Sequence, residues 1–142
     1  MELLNKELSR VLKQAKKDRE VIAVFLYGSF ARGEQRKDSD IDLCLVLKEN
    51  YPKLKFTAKR LEYLKNVSEN IDIQIFQQLP LYIRKEVIKG KMLLSKNEDK
   101  IYELVYKTIK EFENFRKYYY GYLNSIYERK NFGENRRVRR LS

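Results

Sequence analysis

Aspartates interrupt two of the three short β-branched runs in this chain, and that conflict limits the fold more than any other feature. Val21-Ile22-Ala23-Val24-Phe25-Leu26-Tyr27 is continuously apolar and too short for a typical helix, so it reads as a buried strand. Asp40-Ile41-Asp42-Leu43-Cys44-Leu45-Val46-Leu47 reads as a second core strand, and Ile71-Asp72-Ile73-Gln74-Ile75-Phe76 alternates cleanly as a third. Side chains alternate along a strand, so Asp40, Asp42 and Cys44 share one face while Ile41, Leu43 and Leu45 share the other. A carboxylate in such a strand is costly unless a cation or strong donors match its charge.

Helical spacing accounts for most of the remaining apolar residues. Leu4, Leu8, Val11, Leu12 and Ala15 predict an amphipathic helix over about residues 2–19. Asn50-Tyr51-Pro52 marks a turn, after which a surface helix is expected from about Phe56 to Val67. Leu81, Ile83, Val87 and Ile88 suggest a short helix closed by Gly90, with Met92-Leu93-Leu94 as a last short strand. From Asn97 to about Lys130 a stripe of Ile101, Leu104, Val105, Ile109, Phe112, Phe115, Tyr119, Tyr122, Leu123 and Ile126 predicts one long helix. Unbroken, it would be about 50 Å long, more than one small domain can cover, so part of it is expected to meet a partner. The expected organisation is a mixed α/β core over 1–96, a helical extension of the same domain over 97–130, and a basic tail over 131–142 ending in Arg136-Arg137-Val138-Arg139-Arg140.

The absences narrow the chemistry. With no histidine there is no Ser-His-Asp or Cys-His nucleophile pair, and with one cysteine there is neither an intramolecular disulfide nor a Cys-rich metal cluster. Any catalytic metal must therefore be held by oxygen, which suits hard ions such as Mg²⁺ or Mn²⁺. The net charge of +11 attracts nucleotides, nucleic acid or an acidic partner alike. The N-terminus has no basic region followed by an apolar core, and the longest apolar run is far short of a membrane span, so no membrane is expected and a cytoplasmic location is.

Against that background the three aspartates form a constellation. Asp40 and Asp42 on one strand, joined by Asp72 from a neighbour, can clamp two divalent ions about 3.5–4 Å apart, an arrangement suited to in-line phosphoryl or nucleotidyl transfer. Gly28-Ser29-Phe30-Ala31-Arg32-Gly33 follows the first strand directly. Gly28 lets backbone approach a phosphate, Ser29 offers N–H and hydroxyl donors, and Arg32 can add a bidentate contact. This turn is neither a P-loop nor a dinucleotide fingerprint.

Gly28-Ser29, ten intervening residues and Asp40-Ile41-Asp42 resemble the signature of the polymerase-β-like nucleotidyltransferase superfamily, with Asp72 matching its third carboxylate. The short chain further resembles the minimal nucleotidyltransferases, the antitoxin halves of HEPN/MNT toxin–antitoxin pairs. The resemblance covers about residues 20–95. It implies an α/β (α+β) fold with a mixed central sheet flanked by helices, Mg²⁺ at Asp40, Asp42 and Asp72, and ATP phosphates at Gly28, Ser29 and Arg32. It also implies that Asp72 helps to take the proton from the attacking hydroxyl. For the antitoxin branch it implies transfer of AMP to a tyrosine of a HEPN ribonuclease toxin, which silences that partner in a hetero-oligomer.

Other readings of the same residues stand beside these. An Asp-x-Asp can cap a loop, Arg32 can close a turn, and Cys44 reads as a small core residue. Tyr118, Tyr119, Tyr120 and Tyr122, interleaved with Arg116 and Lys117, can stack on bases or pack a protein interface. The alternatives carried forward are nucleotidyl transfer to a small molecule such as an aminoglycoside, and a noncatalytic module that binds RNA or masks a toxin by contact.

Overall fold

The structure, a computed structural model, describes residues 2–28 and 41–132, with side chains for 5–28 and 41–130. Ser29, Arg32, Asp40 and the basic tail from residue 133 lie outside the described residues. The elements run α1 (Glu2–Lys17), β1 (Val21–Tyr27), β2 (Ile41–Leu47), α2 (Lys53–Leu64), β3 (Ile71–Ile75), a 3-10 turn (Phe76–Gln78), α3 (Leu81–Ile88), β4 (Lys91–Ser95) and α4 (Glu98–Phe132). Two compact units divide them, Met1–Thr108 and Ile109–Ser142. The first extends past the compositional break at 96 because Ile101 and Thr108 of α4 are buried.

The sheet has the order β3-β2-β1-β4. β1 pairs antiparallel with β2 and β4, whereas β2 and β3 are parallel. Strand alternation divides the core between the two faces. Val24, Leu26, Leu43, Leu45, Ile73 and Ile75 pack with Val11 and Ala15 of α1 and with Phe56 and Tyr63 of α2. Phe25, Cys44 and Val46 pack with Phe76, Val87 and Ile101 on the other face. Both faces are covered, which is why β1 and β2 read as continuous apolar runs. An irregularity between Val21 and Ala23 lets Ile22 and Ala23 share one face.

Two boundaries differ from expectation, each for a local reason. α2 starts at Lys53, not near Phe56, because Pro52, itself still extended, caps the helix and its carbonyl accepts from the N–H groups of Lys55 and Phe56. It stops at Leu64, not Val67, and Ser68 is then held to α1 by Glu7, whose carboxylate accepts from Ser68 N at 2.8 Å and Ser68 Oγ at 2.9 Å. Gly90 follows α3, but the helix closes on Lys89 in right-handed geometry, so glycine is not needed there as a left-handed cap. It is needed for space, because a Cβ would run into the Leu26 carbonyl.

At the end of β1 where the chain enters, charge replaces apolar packing. Lys59 of α2, with 10% of its side chain exposed, reaches Asp18 Oδ2 at 3.0 Å and Glu20 Oε1 at 2.9 Å. Tyr63 donates to the same Asp18 oxygen at 2.9 Å. Burial alone would raise the Asp18 pKa, and the bonds from Lys59, the Glu20 N–H and Tyr63 bring it below the ordinary range.

Candidate active site

Because β1 runs against β2 and β2 runs with β3, the C-terminal end of β1 meets the N-terminal starts of the other two strands. Tyr27, Asp42 and Asp72 are register partners there, one residue from each strand in a single row across the sheet. Alternation puts all three on the Cys44 face. The parity expected for Asp42 and Cys44 is thus observed, and Cys44 itself is fully buried, its thiol pKa pushed well up by burial. Asp42 and Asp72 are brought together. Asp40, Ser29 and Arg32, expected beside them, lie outside the described residues.

Gly28 stands directly against this row. Its φ of +78° belongs to the left-handed region that favours glycine. A Cβ there would lie 2.5 Å from Asp42 Oδ2. Backbone conformation and space therefore both demand glycine, and together they seat the start of the turn against a carboxylate.

Asp72 is held on both oxygens. Gln74, two residues along β3 on the same face, donates from Nε2 to Asp72 Oδ2 at 2.9 Å. Arg60 of α2 donates from Nη2 to Asp72 Oδ1 at 3.3 Å and from Nε to the Ile73 carbonyl at 2.6 Å. Among the described strands β3 is at the edge of the sheet, which makes that carbonyl available to α2. With 37% of its side chain exposed, Asp72 escapes the full cost of a core carboxylate. Burial holds the Tyr27 hydroxyl protonated well above its ordinary range, reinforced by Cys44 and by the carboxylates of Asp42 and Asp72.

The donor set fits a hard divalent ion. Two carboxylates on directly paired positions of neighbouring strands repel each other, and a cation bound by both relieves that repulsion. Among the described residues, no group of three or more metal-ligating side chains converges. Beside the pair opens a cleft of about 510 Å³, lined by Asp42 and Asp72, by Leu64, Val67 and Ile71, and by Ser68 and Glu69 before β3.

Sequence reasoning missed Arg60, Gln74 and Tyr27. The last two carry a signal, since each shares strand parity or register with an aspartate. Arg60 carries none within its own helix, because its partners are a carboxylate and a carbonyl of another element. No helix among the described residues is long and apolar enough to cross a membrane.

Comparison with known proteins places these features in context. The family described as Polymerase beta, Nucleotidyltransferase matches residues 7–99. A Methanocaldococcus jannaschii protein named "putative protein adenylyltransferase" is 37% identical over 97 residues, 68% of this chain and 74% of that protein. In a crystal structure described as a toxin–antitoxin with AMP-PNP, one chain superposes with a TM-score of 0.64 at 15% identity, covering 85% of this chain and 96% of that one. A chain from a complex of tri-AMPylated Shewanella oneidensis HEPN toxin with MNT antitoxin gives a TM-score of 0.61 at 13% identity, covering 89% of this chain and 98% of that one. These two likenesses are of fold.

Proposed function

Since the chain belongs to the polymerase-β nucleotidyltransferase family, we propose that it is an antitoxin that transfers AMP from ATP to a tyrosine hydroxyl of a HEPN ribonuclease toxin and so silences it. The observation that carries this reading is the seating of Gly28 against Asp42, with Asp72 in register beside them. Gly28, the first residue of the turn read as phosphate-binding, meets one of a pair of carboxylates at the strand ends. The name of the M. jannaschii relative supports protein as the acceptor class, and the antitoxin neighbours of the same fold support a HEPN toxin as the partner.

In this reading the backbone of Gly28 and Ser29 and the guanidinium of Arg32 bind the ATP phosphates. Asp40, Asp42 and Asp72 hold two Mg²⁺ ions, for which Mn²⁺ can substitute. Bound there, the ions neutralise phosphate charge and lower the pKa of the acceptor hydroxyl. The tyrosyl oxygen bonds to the α-phosphorus, the bond from that phosphorus to the bridging oxygen of the β-phosphate breaks, pyrophosphate leaves, and Asp72 helps to take the hydroxyl proton. In-line displacement sets the acceptor opposite the leaving group. With pyrophosphate on the Gly28 side of β2, the acceptor enters on the β3 side, where the cleft lies. Leu64, Val67 and Ile71 offer an aromatic ring an apolar wall.

The toxin would dock on α4. Phe112, Phe115, Tyr119, Tyr122 and Ile126 recur at alternating spacings of three and four, the seam of a helix that packs along another helix. Phe115, Tyr119, Tyr122 and Ile126 are exposed. A helical partner would cover them and produce a hetero-oligomer.

The test is incubation with ATP labelled at the α-phosphate, Mg²⁺ and a candidate HEPN partner, beside an Asp40→Ala/Asp42→Ala control. Label on the partner that requires the aspartates is expected. Label on a small molecule or nucleic acid instead would replace the acceptor. Full silencing by the doubly substituted protein, with no label transferred, would point to masking by contact.

A further inference from the structure

Arg60 puts a fixed positive charge where a metal ligand would be expected to stay open. Its position does not depend on the ion pair. Nε is bound at 2.6 Å to the Ile73 carbonyl, a charge-assisted bond to the free edge of β3, and this anchors the guanidinium from which Nη2 reaches Asp72 Oδ1. Gln74 holds the other carboxylate oxygen independently. Asp72 therefore has two supports that differ in kind, one neutral and one cationic. Orientation alone would be served by a second neutral donor. The cation does something further, because it competes with any divalent ion for the same carboxylate.

The geometry points to Arg60 as a positioning residue that also acts as an internal counterion. It offsets the repulsion between Asp42 and Asp72 in the metal-free protein and weakens the binding of a divalent ion on its own, so that the ion is held firmly only together with the nucleotide phosphates. The phosphates supply the negative charge that outweighs the guanidinium. The ion and the phosphates attract each other directly, so by linkage each raises the affinity of the other by the same factor, and Arg60 lowers the level from which the ion starts. This inference rests on the proposed metal-binding role of Asp42 and Asp72. It adds a residue from α2 that the motif does not include.

Mn²⁺ titration followed by electron paramagnetic resonance tests it, with the full chain in the absence of nucleotide and then with a non-hydrolysable ATP analogue. Arg60→Gln keeps a neutral donor and removes the charge. It is expected to bind Mn²⁺ alone about three- to tenfold more tightly than wild type, the effect of one unit charge beside a divalent ion in a partly solvated site. The gain from adding nucleotide comes from the direct ion–phosphate attraction and stays within about twofold of wild type. Arg60→Lys keeps the charge but not the two-point seat, and its Mn²⁺ affinity is expected to fall between wild type and Arg60→Gln. In an Asp72→Asn background the Arg60→Gln effect should shrink, because competition for that carboxylate is gone while the charge anchored on the Ile73 carbonyl remains. Equal or weaker Mn²⁺ binding by Arg60→Gln, with an unchanged melting temperature, overturns the counterion role and leaves the proposed function standing. Wild-type Mn²⁺ affinity in Asp42→Asn/Asp72→Asn overturns the metal-site reading, and the inference with it.

Discussion

Gly28→Ala separates the stability of the fold from the geometry of the site. A non-glycine residue in the left-handed region costs about 1–2 kcal/mol, and the reduced freedom of the unfolded chain returns about 0.4–1 kcal/mol of this. The net loss, about 0–1.6 kcal/mol, lowers the melting temperature by only a few degrees in a chain of this size. The protein therefore remains folded and can be assayed. The site suffers more. A Cβ at 2.5 Å from Asp42 Oδ2 reaches an ordinary 3.4 Å contact only if the oxygen withdraws by about 0.9 Å. Metal–ligand distances tolerate about 0.2 Å, and a misplacement near 1 Å can cost about 10²-fold in rate. Loss of Mn²⁺ affinity and a fall of about 10²-fold in AMP transfer are thus expected together, measured by titration and by label transfer. Gly121→Ala is the control, since nothing among the described residues lies within 4 Å of a Cβ there. It should leave transfer chemistry intact. Wild-type metal affinity and transfer in Gly28→Ala, within about twofold, would refute the claim that Gly28 sets the position of Asp42.

Four further outcomes are expected. Lys59→Met removes the cation between Asp18 and Glu20, and because these side chains are 10–26% exposed the cost should be about 2 kcal/mol, below that of a fully buried pair, read by denaturant melts. The same cluster sets an acid limit. Hydrogen bonds from Lys55 and Lys59 bring Glu20 from 4.5 to about 2, and Asp18 is also lowered. Folded values below unfolded ones mean stability that is present above about pH 4.5 and lost as pH falls towards 2, so the melting temperature should drop through that window, less steeply in Lys59→Met. A flat profile would remove the cluster from the account. Phe115→Asp with Tyr122→Asp, both at exposed positions, should leave Mn²⁺ and nucleotide binding unchanged while weakening toxin binding by 10²-fold or more, and calorimetric titration showing wild-type affinity would dismiss α4 as the docking face. Cys44 should resist thiol reagents until the protein unfolds, since burial both hides the sulfur and raises its pKa.

Local chemistry and strand parity made much of this site legible. The alternation of Asp42, Leu43, Cys44 and Leu45 allows one assignment of faces, and both core clusters follow it. Gly28 before a short spacing to the aspartates points to close approach between them, and Gly28 does stand against Asp42, because the antiparallel pairing of β1 with β2 sets the end of one strand beside the start of the other. Helix boundaries were less legible. Pro52 ends the turn and also caps the helix that begins at Lys53, and a proline in sequence does not tell the two roles apart. Gly90 was legible as a necessary glycine but not for the right reason, because close approach to the Leu26 carbonyl is a property of packing between elements.

Arg60 marks where sequence reasoning ends. Its helix buries Phe56, Lys59 and Tyr63, and a cation between two of these positions has many surface explanations. What gives it meaning is the sheet order. With β3 at the edge, one backbone carbonyl faces α2 and the neighbouring Asp72 carboxylate lies within reach of the same guanidinium. Had another strand paired outside β3, Ile73 would bond to that strand and Arg60 would have no fixed seat. The charge beside the third carboxylate is thus a consequence of the edge. An added strand at that position would be expected to abolish the influence of Arg60 on the site while leaving Gln74 and the aspartates where they are.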